Sequence, residues 1–284
     1  FAAELNQGPA KVVALDEWLQ KEGQPAKALE ADIAKGTENL IKIVACSDGL
    51  QLSADKLLTA RHFGNVLFNV MRGGIFDDNY TVTKADFTAF IKHYNQEVST
   101  RQAKFLEELP AQIHYSALQE LAANTGDTQL QRLTIEYLPL TWSRRHGDPS
   151  RPWNKFSIEL QEPNGQKKLY YEGNWRDIFQ NWEALGVSYP QFIEGMISKF
   201  VSASTADGYN PYRITRNGID WEVIEEDDPW SYIGYWGDHQ IIYLLKLLEL
   251  SKAHHPEALG QMLTRAGFAY ANVPYRIRPY AQLL

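Results

Sequence analysis

The chain has 284 residues, 44% of them hydrophobic, enough to fill one large domain or two small ones. Its 28 basic and 35 acidic residues give a net charge of −7 without a basic block, which argues against nucleic acid as a partner. No apolar run approaches the roughly 20 residues of a membrane span, and the single cysteine, Cys46, excludes an internal disulfide and fits a reducing, cytoplasmic setting.

The chain opens on Phe1 with no signal peptide and is expected to be a segment of a longer protein. Its first hundred residues read as helices. Val12, Val13, Leu15 and Leu19 lie near one face of a helix from Lys11 to Lys21. Pro25 restarts the pattern, which Leu29, Ile33, Leu40, Ile41 and Ile43 continue. A third helix follows Ser53, with Leu57, Leu58, Phe63, Val66, Leu67 and Val70 as its apolar face and Gly73-Gly74 as its stop. Thr83 with Asp86 has the form of a capping box, and Ser99 with Gln102 repeats it. Further helical spacing runs from Ala117 to Ala123 and from Leu130 to Leu138.

The character changes at Pro139. The segment TWSRRHGDPSRPWNKF is long for a connection, and Asn164-Gly165 then marks a turn, so a β-hairpin is expected near 156–171. Residues 139–172 thus form an inserted loop and hairpin. A helix containing RDIFQNWEAL is expected to end at Gly186. Ser188, Pro190 and Gln191 open another that continues through Phe200. Residues 205–236 read as a long loop. A helix from about Asp238 to Leu250 turns Ile241, Ile242, Leu245 and Leu248 inward, and a last one covers Pro256 to Ala266.

Five of the eight tryptophans fall between Tyr170 and Leu250, among carboxylates, arginines and amides. A sugar cleft uses these groups together. Flat rings cover the apolar faces of pyranoses, and planar polar groups bind the hydroxyls. Asp177, Gln180 and Asn181 fall at i, i+3 and i+4 beside Trp175 and Arg176, where they could grip neighbouring hydroxyls. Asp177 alternatively only complements the positive helix end. In the long loop, Asp220 and Glu222 flank Trp221, near Arg213 and Arg216. Burial against tryptophan raises a carboxyl pKa, so Glu222 and Asp220 are the acid/base candidates for glycosidic cleavage. The following EEDD run reads as a solvated acidic loop. Trp236, Asp238 and His239 open the next helix, where Asp238 could equally be an N-cap. Arg144, Arg145 and Arg151 could hold a phosphate or an acidic neighbour, or belong to a solvated connection. The histidines show no metal-ligand spacing, and there is no Walker loop and no GxSxG motif.

The stretch GNWRDIFQNWEAL resembles a segment of the cellobiose and chitobiose phosphorylases. The order that follows is also similar: a helix, the loop GYNPYRITRNGIDWE, and YWGDHQIIYLL opening the next helix. The resemblance covers about 170–250. It implies that Arg176, Asp177 and Asp238 line the sugar subsite at the cleaved bond. His239 departs from the family's second aspartate, and the family's later acid-bearing G-D-W-N-D-type motif has no match in this chain. The resemblance therefore implies that the general acid lies beyond Leu284, while Glu222 is the best acid/base candidate within the chain.

These observations predict a mainly α structure of helical hairpins, with one small β-hairpin. It would be a single domain over 1–284, a complete or partial (α/α)₆ toroid. The expected function is inverting cleavage of a glycosidic bond in an oligosaccharide or glucoside, by water or by inorganic phosphate as co-substrate. No other cofactor and no metal is expected. The partner is the sugar substrate, with neither membrane nor nucleic acid. A homo-oligomer or the remainder of a longer chain would cover an incomplete toroid. The alternative is a non-catalytic α-solenoid or toroid that binds a protein or a sugar.

Overall fold

The computed structural model describes residues 9–46, 49–50, 52–73, 75–76, 80–141, 168–221 and 240–273. Among these the architecture is mainly helical, with small antiparallel sheets. Three helices come first: α1 (Pro9–Leu19), α2 (Gln24–Cys46) and α3 (Lys56–Gly73). Asp55 starts α3, its Oδ1 accepting from the Leu57 amide at 2.8 Å.

The next block is compact. Strand β1 (Ile75–Phe76) pairs with β4 (Leu140–Thr141), and β2 (Thr81–Thr83) pairs with β3 (Gln112–His114). Between these strands lie α4 (Lys84–Tyr94), α5 (Gln96–Arg101), α6 (Ala103–Glu108), α7 (Tyr115–Asn124) and α8 (Thr128–Glu136). Thr83 caps α4 as its sequence requires, accepting from Asp86 N at 3.4 Å. The second expected cap is corrected: Ser99 lies inside α5, and Asn95 is the cap, accepting from Val98 N at 3.0 Å. Asp127 caps α8. Phe87, Ile91, Leu118, Leu130 and Leu133 are fully or almost fully buried and form this block's core.

Strand β5 (Glu172–Asn174) leads directly into α9 (Trp175–Ser188). Trp175, Ile178, Phe179, Trp182 and Leu185 recur at helical spacing and are all fully buried, which fixes the inward face of α9. Gly186 does not end this helix. It lies within α9, close to Ile193 and Leu250, and a 3₁₀ turn at Pro190–Phe192 separates α9 from α10 (Ile193–Ala203). Tyr189 rather than Ser188 precedes that turn, and Gln191 accepts from Tyr80 instead of closing a capping box.

The expected loop at 205–236 is also corrected. Strands β6 (Arg213–Thr215) and β7 (Gly218–Asp220) form a hairpin within it, and β6 pairs with β5. Only Ile214 and Ile219 supply apolar side chains, too few for a visible alternation, so tertiary pairing makes these strands. Residues 156–167 of the hairpin expected near 156–171 lie outside the described residues, and 168–171 form no strand.

Helices α11 (Ile241–His254) and α12 (Ala258–Leu263) follow. On α11 the inward face is corrected. Leu247 and Ser251 are buried and Leu248, as expected, packs partly buried against the core, while Ile241, Ile242 and Leu245 are about half exposed or more. The helix is apolar nearly all round, so spacing alone could not choose its face. Helix α3 packs on α9, α9 and α10 pack on α11, and α10 packs on α8. No helix among the described residues is long and apolar enough to cross a membrane.

Candidate functional site

The sheet β5–β6–β7 and the start of α9 form one unit, because the strands cap the helix. The Trp175 amide, an orphan donor of the first turn, gives its hydrogen to Tyr212 O at 2.9 Å. The Tyr212 amide in turn donates to Asp220 O at 3.0 Å. The register places Asn174 opposite Arg213 and Arg213 opposite Asp220. Three ionisable side chains therefore meet on this sheet. Arg213 donates from Nε to Asp220 Oδ2 at 2.8 Å and from Nη1 to Glu172 Oε1 at 2.9 Å. The other oxygen of Glu172 accepts from the Tyr170 hydroxyl.

The expected site residues separate here. Arg213 and Asp220 come together as ion-pair partners, so Asp220 commits Oδ2 to the guanidinium. Trp221 follows them, half-buried. On α9, Asp177 is 4% exposed and lies 3.6 Å from Arg176 Nε. Gln180 is exposed, and Asn181 donates to its own helix, at Asp177 O. Asp177 and Gln180 therefore do not share one exposed face. Trp175 is a core residue with no exposed face, packed on Phe179 and Phe200 at ring distances of 4.6 and 5.1 Å. Glu222, Trp236, Asp238, His239, Arg144 and Arg145 lie outside the described residues.

The turn of the β6–β7 hairpin is held from α4. Arg216 Nη2 reaches Asp86 Oδ2 at 2.5 Å, and the Tyr137 hydroxyl donates to the same oxygen. The Tyr94 hydroxyl donates to Arg216 O at 2.6 Å. Burial pushes the Tyr94 hydroxyl up to about 12, so it stays a donor at neutral pH. Burial also raises Tyr137 and Tyr171 well above the ordinary tyrosine range.

Sequence reasoning missed a second polar group. Arg132 and Glu136, one turn apart on α8, form a nearly buried pair at 2.9 Å, and Ser198 of α10 donates to Glu136. Beside it, Lys199 is buried, with Nζ 5.0 Å from the Tyr94 ring and 5.5 Å from that of Phe90. A cavity of about 150 Å³ touches Arg132, Glu136, Lys199 and the hairpin residues Ile214 and Ile219.

A larger cavity, about 390 Å³, also touches Arg132, and its lining includes Glu194, His255, Arg265 and Phe268. Such a volume suits a small molecule. Glu194 accepts from Ser251 Oγ at 2.7 Å and faces His255 Nδ1 at 3.0 Å. The i, i+4 spacing of Arg132 and Glu136 was the only sequence sign of this region. Both charge signs and several amides line the cavity, so its chemistry suits a hydrogen-bonding ligand of low net charge. Among the described residues, no group of three or more His, Cys, Asp or Glu could hold a metal ion.

Residues 76–139 match the model of glycoside hydrolase family 149 insertion domain 1. The match begins in β1 and ends just past α8, so it coincides with the compact block whose Asp86, Tyr94 and Tyr137 hold the hairpin. It does not extend to 170–250, where the resemblance to the cellobiose phosphorylases lies. No curated protein matches the chain. The chain thus contains a glycoside hydrolase-related segment, packed against the unit that carries Arg213 and Asp220.

Proposed function

We propose that this chain is part of an enzyme that cleaves glycosidic bonds with inversion, using water or inorganic phosphate. The match of residues 76–139 to a glycoside hydrolase family 149 insertion domain carries this reading. The family-like order of motifs over 170–250 supports it from the sequence side. In this reading the helical hairpins belong to an (α/α)₆ toroid, complete or partial. Arg176, Asp177, Trp221, Trp236, Asp238 and His239 bind the sugar at the cleaved bond, and Arg144 and Arg145 hold phosphate or an acidic neighbour.

Glu222 is the proton-transfer candidate. In the sequence it follows Trp221 and Asp220, and Arg213 holds Asp220. Inversion requires two carboxyl groups about 6.5–9.5 Å apart, one protonating the leaving oxygen and one activating water, unless phosphate is itself the nucleophile. Isothermal calorimetry with a panel of mono- and disaccharides, with and without phosphate, tests the reading. Saturable heat with at least one sugar is expected, and a folded sample that gives none with any of them contradicts it.

A second reading is a solenoid module that docks a protein. The observation in its favour is the exposed apolar stripe of Leu29, Ile33 and Leu40 on α2. Under that reading no sugar binds, and a change in oligomeric state follows when the stripe is made polar.

A further inference from the structure

The hairpin β6–β7 is anchored at its turn and presents its working residues at the opposite end. Its turn consists of two residues, Arg216 and Asn217, and three ties reach it from the matched segment. Asp86 pairs with the Arg216 side chain, the Tyr94 hydroxyl donates to its carbonyl, and His93 Nε2 lies 2.5 Å from Asn217 O. Asp86, Tyr94 and His93 all belong to α4, and Tyr137 at the end of α8 holds Asp86 from behind. The Arg216 amide also donates to Tyr171 O at 2.8 Å, which ties the same turn to the residue before β5.

Three paired positions then carry this anchor along the ladder to Arg213 and Asp220, immediately before Trp221 and Glu222. A short paired hairpin transmits the position of its turn, because a register slip of one residue would exchange its two faces. Asp86 and Arg216 bear a charge-assisted contact and are only 24% and 14% exposed, so solvent weakens it little.

We propose that Asp86 and Arg216 are positioning residues, through which the insertion-domain segment sets the placement of Arg213, Asp220 and Trp221 against the sugar. This proposal rests on the function proposed above. Neither residue touches the reacting atoms. Their effect on rate comes through alignment, where a displacement of about 1 Å can cost up to about a hundredfold.

The test uses the intact protein with Asp86→Asn, Arg216→Lys and the double variant. Arg216→Lys keeps the charge and guards against loss of folding. The first measurement is glycoside cleavage, with kcat and KM read separately. A fall of about tenfold or more in kcat, with KM changed less and with the double variant no worse than the more damaged single variant, is expected. Unchanged kcat in folded Asp86→Asn overturns the proposal.

The second measurement is amide hydrogen exchange over 213–221, which needs no activity. Protection lost at the Arg213–Asp220 end in Asp86→Asn is expected, and unaltered protection there overturns the proposal by itself. If the wild type cleaves no glycoside while the exchange result holds, the anchoring stands and the proposed function is what fails.

Discussion

Individual residues sort by what surrounds them rather than by their type. Trp175 reads from the sequence as a sugar platform, yet its ring is enclosed by Phe179 and Phe200. Trp175→Ala should therefore cost about 3–5 kcal/mol of stability, as other buried aromatic truncations do, and urea denaturation measures it. A loss under about 1 kcal/mol would instead indicate a ring the fold does not need. Clustering of tryptophan with polar residues does not by itself distinguish a cleft from a core, because helix α9 presents both faces within two turns.

Asp127 shows the opposite case, a modest surface letter with a large local role. Its carboxylate accepts from the Gln129 and Leu130 amides, from Arg101 Nε and from Gln102 Nε2. The Arg101 hydrogen bond, above all, lowers its pKa from 3.8 to about 2. The folded state thus holds the charged form more firmly than the unfolded chain does. That stabilisation is complete above pH 3.8 and is lost as pH falls towards about 2. Asp127→Ala should cost about 0.5–2 kcal/mol at neutral pH and flatten the acid limb of stability against pH. An unchanged acid limb in denaturation at stepped pH would contradict this assignment.

At the scale of elements, α8 and α10 meet more closely than ordinary side chains permit. A Cβ built on Gly195 would lie 2.2 Å from Ile135 O, a backbone atom that cannot swing aside. Gly195→Ala should force the helices apart and cost about 1–3 kcal/mol. It should also loosen the Ser198–Glu136–Arg132 contact that spans the same crossing. Calorimetric melting of this variant beside Gly260→Ala, where a Cβ meets nothing within 4 Å, separates crowding from a general effect of glycine replacement. Equal melting of the two would count against the close crossing.

Most helices were legible because they carry a 3.6-residue apolar period or a cap, as with Thr83 and the face from Leu57 to Val70. The strands were not. Strands β2, β3, β6 and β7 are three residues each, too short for alternation to register, and each is specified by its pairing partner rather than by its own letters. The same limit hid Asp86–Arg216, whose members are 130 residues apart. Within α11, apolar residues on every side concealed which ones face inward. Of the candidate site, the pairing of Arg213 with Asp220 was foreseeable as proximity within one loop, while the Glu172 contact required the sheet.

Across the whole molecule, the segment from 76 to 139 is the part tied by comparison to glycoside hydrolases, and it leans on the hairpin that leads to Trp221 and Glu222. The central claim is that this packing serves glycosidic cleavage. The most direct measurement incubates the intact protein with a panel of glycosides, with and without inorganic phosphate, and follows the anomeric configuration of the first product by NMR. A product of inverted configuration, a sugar phosphate or a free sugar, is expected, with a loss of at least about a hundredfold in rate for Glu222→Gln. No product from any glycoside, or a product of retained configuration, would contradict it.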